Sequence, residues 1–238
     1  LESYEILGVA YADKFEYKKA IKYLKKVLHI AEELEDKHWI SRTYNNIGYT
    51  LIYIGDYENA IKYFKQSLNL EKSFGNLRPI YLLHSLGEIY RRRGEYKKAL
   101  KYLDKTLKFS LELGDKRIQW AARYDLGLCF FELNMLEKAK IELKFVREIQ
   151  NETKTNENVI ETNIFLFNVY KKLKIDFDVN DIKENIKDVG NLDFEVIFGL
   201  YKLLENKLHL ETAYNQLKEK TDAMDDELKE KFLTYPIP

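Results

Sequence analysis

Large residues recur along the first part of this chain at helical intervals, and the pattern returns about every forty residues. Four segments read Tyr4-x-x-Leu7-Gly8-x-x-Tyr11, Tyr44-x-x-Ile47-Gly48-x-x-Leu51, Leu83-x-x-Leu86-Gly87-x-x-Tyr90 and Arg123-x-x-Leu126-Gly127-x-x-Phe130. A spacing of i, i+3, i+7 makes one stripe on a helix. Twelve residues after each glycine stands an alanine, in Tyr17-x-x-Ala20-x-x-x-Leu24, Tyr57-x-x-Ala60-x-x-x-Phe64, Tyr96-x-x-Ala99-x-x-x-Leu103 and Leu136-x-x-Ala139-x-x-x-Leu143. Each copy therefore predicts two helices. Glycines and alanines alike recur at spacings of 40, 39 and 40. A period of this length is the mark of a solenoid, in which each unit packs on its neighbours.

A glycine inside a helix costs about 1 kcal/mol of propensity relative to alanine. Four such costs point to a packing reason. The absent side chain lets the partner helix approach, and the alanine is expected to meet the glycine where the two helices cross. Turns within a repeat are read at Phe15-Glu16, Gly55-Asp56, Gly94-Glu95 and Asn134-Met135. Stops between repeats are read at Glu35-Asp36, Gly75-Asn76 and Gly114-Asp115, because glycine and asparagine tolerate the left-handed conformation that ends a helix.

Residues 1–150 thus hold four well-matched repeats, at about 1–36, 37–76, 77–115 and 116–152. Residues 151–238 hold degenerate copies. Ile164, Leu166, Phe167 and Tyr170 seed a fifth first helix with Phe167 at the glycine position, followed by a shorter helix over Asn180–Val189. A sixth unit fits Ile197, Leu200, Tyr201 and Leu204, then Ala213 and Leu217, with Tyr201 at the glycine position. An amphipathic closing helix is predicted between Met224 and Leu233. Terminal repeats depart from the pattern because they cap the stack against water.

The recurring Tyr/Leu, Leu, Gly, Tyr, Ala, Leu/Phe set resembles the tetratricopeptide repeat family. Units near forty residues are similar to those of kinesin light chain and of bacterial peptide-pheromone receptors. The C-terminal part resembles the tail of such arrays in multidomain bacterial signalling proteins that carry ATPase, cyclase or kinase modules. The resemblance implies an all-α fold, a right-handed α-α superhelix of about six helix-turn-helix repeats.

It also implies that the first helices line a concave groove. The matching positions are Glu2, Glu5, Val9, Ala12 and Asp13 in the first repeat, and Arg42, Asn45, Tyr49, Ile52 and Tyr53 in the second. In the third they are Tyr81, His84, Glu88, Arg91 and Arg92, and in the fourth Ala121, Tyr124, Leu128, Phe131 and Glu132. Aromatics beside arginine and asparagine make peptide-binding hot spots. The alternative is that Tyr49, Tyr53 and Tyr124 pack between neighbouring repeats. Family members that clamp a C-terminal carboxylate carry lysine and asparagine where this chain has Glu5 and Val9, and an acid there repels a carboxylate. The stretch from Arg42 to Asn46-Ile47-Gly48 resembles repeats that bind extended peptides through Arg and Asn.

Charge adds a direction. Between Arg78 and Lys108 nine basic residues meet only Glu88, Glu95 and Asp104, whereas Glu2, Glu5 and Asp13 make the first repeat acidic. A dipolar groove fixes the orientation of a ligand. Lys97, Lys98, Lys101 and Lys105 fall on a second helix and read as a solvated face, which leaves Arg91 and Arg92 as the functional cations.

Overall, acids and bases balance at 39 each. That argues against a nucleic-acid or membrane-surface binder, where a basic excess is rewarded. No apolar run is long enough to span a bilayer, and a single cysteine, Cys129, leans towards a reducing, cytoplasmic setting. His29, His38, His84 and His209 show no ligand spacing, so no metal is expected, and no cofactor. Cys129 reads as core. With no phosphate loop and no paired carboxylates, the chain reads as non-catalytic.

The main reading is an interaction scaffold that binds a protein or peptide segment in the groove. A second is a ligand-sensing regulatory array whose partner is a domain preceding Leu1, since Leu1 already lies inside a repeat. A third is self-association into a homodimer through exposed Phe194, Phe198 or Tyr201.

Overall fold

A computed structural model describes residues 1–14, 16–75, 79–153, 159–178, 192–222 and 224–235. Among them there are twelve helices and no strand. The chain divides into two compact units, 1–89 and 90–238.

The first unit contains α1 (Glu2–Asp13), α2 (Tyr17–Glu33), α3 (Lys37–Ile54), α4 (Tyr57–Ser73) and the greater part of α5 (Ile80–Arg92). The helices begin and end where the turn chemistry requires. Gly55 closes α3 with φ +89°, and Asp56 at once caps α4 by accepting from the Asn59 N–H at 3.2 Å. Asp36 caps α3 by accepting from the His38 and Trp39 N–H groups, each at 3.1 Å. Where the repeat lacks glycine, other residues take the left-handed turn. Glu35, Asn134 and Lys174 have φ of 53°, 57° and 57°. Lys174 lies forty residues after Asn134, so the period persists into the fifth copy.

The alanines Ala20 and Ala60 are fully buried, but they are not the main neighbours of the glycines. A Cβ on Gly8 would stand 2.8 Å from Leu24 Cγ, and one on Gly48 would stand 2.7 Å from Phe64 Cε1. In the second unit a Cβ on Gly127 would stand 2.8 Å from Leu143 Cγ. Each glycine makes room for the large residue four positions beyond the alanine. The expected glycine–alanine contact is secondary, through the Ala20 and Ala139 carbonyls at 3.5 and 3.6 Å from the Gly8 and Gly127 Cβ sites.

The second unit contains α6 (Tyr96–Leu113), α7 (Lys116–Glu132), α8 (Leu136–Thr153), α9 (Val159–Leu173), α10 (Phe194–Leu204), α11 (Lys207–Asp222) and α12 (Asp226–Leu233). One core joins α7, α8, α9 and α10 through Leu128, Leu143, Ile164, Phe167 and Leu200. The expected helix over Asn180–Val189 lies outside the described residues. Helices α10 and α11 occupy the span where the sixth copy is expected, and α12 that of the expected closing helix. Here Gly199 is the close-approach residue, lying against Ile164 and Phe165 of α9. Phe194, expected to be exposed, is buried, and Phe198 is partly covered by stacking on Tyr201 with ring centroids 6.0 Å apart. The apolar pattern of a degenerate repeat fills its own core.

Candidate functional site

In the first unit the first helices α1, α3 and α5 are tied to one another by polar contacts. Glu5 is buried on α1, although the sequence placed it as a free acid of the groove. Its Oε1 accepts from Arg42 Nε at 2.6 Å and from Asn46 Nδ2 at 2.8 Å. The expected acidic end of a dipolar groove is thereby neutralised internally at Glu5. Tyr49 is half-buried, with its hydroxyl hydrogen-bonded to Ser85 Oγ on α5 at 2.6 Å and its ring edge-on to Phe64. It packs between repeats, which is the alternative the sequence left open.

Other positions on this stripe do face solvent. The Arg42 side chain is 63% exposed although its Nε is anchored. Tyr53 is 57% exposed and stacks on Tyr17, with ring centroids 6.0 Å apart. Tyr81 is 50% exposed. Asn45, His84 and Glu88 are half-buried along the same layer, and Asn45 Oδ1 is shielded without accepting a hydrogen bond. The glycine-stripe residue Ile52 is core.

In the second unit the two groove arginines are engaged from inside the protein. Arg91 is buried, and its Nε donates to Asp125 Oδ1 of α7 at 2.7 Å. Its Nη1 lies 3.5 Å from Glu195 Oε2 at the start of α10. Arg92 Nη1 donates to Glu195 Oε1 at 3.0 Å. Burial alone would lower the Arg91 pKa, but the Asp125 and Glu195 carboxylates more than offset it and raise it. Arg91 is therefore a structural cation, and the expectation of a ligand-facing guanidinium is corrected: a charge this deep must be paired. Tyr124 sits edge-on to Phe165, and burial pushes its phenol well up. Phe131 is buried with Lys172 Nζ 4.0 Å from its ring centroid. Both are packing residues. Lys97, Lys98, Lys101 and Lys105 are exposed on α6, as a solvated face requires.

The cleft beside these arginines is lined by Arg91, Arg92, Tyr96, Leu128, Glu132, Phe165 and Glu195. Its free volume is about 10 Å³, room for one water. Cys129 is fully buried, and desolvation pushes its thiol up to about 12. Among the described residues no cluster of three or more His, Cys, Asp or Glu could hold a metal ion, and no helix is long and apolar enough to cross a membrane.

Two residues before the glycine a polar position recurs, which the apolar periodicity does not single out. Asn46 meets Glu5, Ser85 meets Tyr49 and Asp125 meets Arg91, each on the preceding first helix. In the sixth copy the same position is Gly199, whose carbonyl accepts from Asn168 Nδ2 at 2.9 Å. The signal was legible as one polar residue inside an apolar stripe. Glu195 carried no such signal, because its partners lie more than a hundred residues away.

Paired helices repeating every forty residues, pegged from one first helix to the next, define a helical repeat protein. The family model of the tetratricopeptide repeat matches residues 1–73 and 80–152, and the chain belongs to that family. It is 30% identical over 126 residues to Response regulator aspartate phosphatase J of Bacillus subtilis, covering 52% of this chain and 34% of that protein. Over 108 residues it is 31% identical to Tetratricopeptide repeat protein 29 of Macaca fascicularis, covering 45% of this chain and 23% of that protein. The matched part of the chain thus spans about a third or less of the length of these curated relatives. Among solved structures, the apo form of RapI matches with a TM-score of 0.66 at 16% identity, covering 98% of this chain and 81% of that one. A STAND protein with a tetratricopeptide repeat sensor from Pyrococcus horikoshii matches with a TM-score of 0.66 at 21% identity, covering 97% and 38%. A Podospora kinesin light chain-type repeat protein matches at 0.60 and 16%, covering 77% and 90%. These likenesses establish the fold.

Proposed function

We propose that this chain is a non-catalytic interaction scaffold that docks an extended protein or peptide segment along its first helices. The observation that carries the reading is the row of exposed Arg42, Tyr53 and Tyr81 on a layer where Glu5, Asn46, Tyr49 and Ser85 are bonded internally. Large aromatic rings held by packing lose little entropy on binding, and arginine supplies a directional donor. Family membership supports the same reading, since tetratricopeptide repeats serve as scaffolds. The cleft beside Arg91 and Arg92 has room for about one water.

A regulatory array that senses a ligand for a larger protein is the second reading. It is favoured by likeness to a Rap protein solved in complex with Competence and Sporulation Factor, at a TM-score of 0.66 and 17% identity. Both readings use the same surface. The test is affinity capture from source lysate with the wild-type chain and a folded Tyr53→Ala/Tyr81→Ala variant. A partner held by the first and lost by the second is expected. Equal capture by both removes this face as the docking surface, and a partner-free dimer in sedimentation favours self-association instead.

A further inference from the structure

The sixth repeat places a carboxylate on cations that belong to the third. Glu195 opens α10, yet its oxygens lie 3.0 Å from Arg92 and 3.5 Å from Arg91 at the end of α5. One more contact brings the same C-terminal segment to the same place, and others hold that segment to itself. Arg93 lies over the Tyr235 ring, 5.6 Å from its centroid, and Lys220 Nζ sits between the rings of Phe194 and Phe232 at 5.7 and 5.4 Å. Gln216 contacts the backbone just before α10, its Nε2 donating to the Leu192 carbonyl at 3.1 Å.

The two arginine contacts of Glu195 are unequal. Arg91 has its short bond to Asp125, so loss of Glu195 leaves no buried guanidinium unpaired. Arg92 is Glu195's shorter partner, and its side chain is 18% exposed, at the solvent edge. Asp193 caps α10 independently by accepting from the Glu195 N–H at 3.0 Å. The Glu195–Arg92 pair can therefore open without unfolding the helix it starts or stranding the charge beneath.

Resting on the scaffold reading above, the geometry points to Glu195 as an internal stand-in for a ligand: Arg92, backed by Arg91, is a carboxylate-binding position that the chain fills with its own glutamate, and an acidic side chain of a docking partner takes it by exchange. The partner segment has the chemistry of the present occupant, a carboxylate flanked by apolar residues as in Asp193-Phe194-Glu195-Val196. Exchange loosens the start of α10 without unfolding it and, through Lys220 against Phe194 and Phe232, loosens the packing of α12.

Two measurements on the full chain test this. In hydrogen–deuterium exchange, Glu195→Gln should make the amides of α10 and α12 exchange about tenfold faster, the response to losing one charge-assisted hydrogen bond, while α7 stays protected. Arg92→Gln breaks the pair from its more exposed side, should give the same result, and carries the test if the first variant does not fold. In fluorescence anisotropy, a labelled Leu-Asp-Phe-Glu-Val amide should bind Glu195→Gln about tenfold more tightly than wild type, with the gain lost when the peptide's Glu is Gln. Unchanged exchange in both variants overturns the proposal. So does faster exchange with no gain in peptide affinity, which leaves a structural ion pair only. Neither failure touches the first-unit docking face, whose test uses Tyr53 and Tyr81.

Discussion

Arg91 and Asp125 stand 34 residues apart in sequence and 2.7 Å apart in space, and each is more than nine-tenths buried. The pair joins the third repeat to the fourth. A buried ion pair adds little net stability over an apolar pair, but breaking it leaves an uncompensated charge at a cost of about 3–5 kcal/mol. Asp125→Ala is therefore expected to lower the unfolding free energy by about that amount, read from urea denaturation. Asp125→Asn keeps an acceptor and should cost less. A loss below about 1 kcal/mol for the alanine variant would mean that water or Glu195 replaces the lost carboxylate.

The fold was legible because its period is written in glycines, alanines and turn residues, each of which acts locally. Gly55 and Asp56 end and restart helices from their own backbone and side-chain chemistry. Site residues were less legible, because burial is decided by what packs on top. Arg91 and Arg92 share a sequence environment with a solvent-facing stripe, and only the return of α10 shows that Glu195 covers them. Tyr49 and Tyr53 occupy one stripe four residues apart. The first is captured by Ser85 and Phe64, whereas the second stays exposed.

Cys129 supplies a clean reporter of global opening. It is fully exposed only when α7 leaves the core, and its thiol, pushed up to about 12 by burial, stays protonated across the usual labelling range. Reaction with a disulfide reagent should be slow in the native state and should not accelerate between about pH 7 and 9, where an unburied thiol ionises. The folded pKa is raised, so the related stability is present below the unfolded thiol's value and is lost as pH rises from there towards about 12. Rapid native labelling that tracks thiol ionisation would show that the site opens locally.

Tyr53 and Tyr81 are more than half and half exposed respectively, so truncating them should lower the melting temperature little. Exposed substitutions away from caps and cores usually stay within about 0.5 kcal/mol. Partner affinity should fall by about tenfold or more for the pair, as for aromatic hot spots. Calorimetry on the variant, run beside the binding assay, separates the two effects. A large melting shift with an equal loss of binding would assign these rings to packing.

The repeat glycines and the turn glycines should respond to alanine for opposite reasons. At Gly48 the backbone is helical, and alanine gains about 1 kcal/mol of propensity. The new methyl, however, lands 2.7 Å from Phe64 Cε1, and Phe64 is fully buried with the Tyr49 ring packed edge-on against it. It cannot retreat without moving the α3–α4 contact. Overpacking of this kind costs about 1–3 kcal/mol, so Gly48→Ala should be destabilising by up to about 2 kcal/mol despite its better propensity. At Gly114 there is open space around the Cβ site, but φ is +70°. Gly114→Ala should cost about 1–2 kcal/mol through backbone strain alone. A smaller partner at position 64 distinguishes the mechanisms: Phe64→Leu should partly rescue Gly48→Ala in a double-mutant cycle and leave Gly114→Ala unchanged. Additive behaviour of Gly48→Ala with Phe64→Leu would overturn the steric account of the repeat glycine.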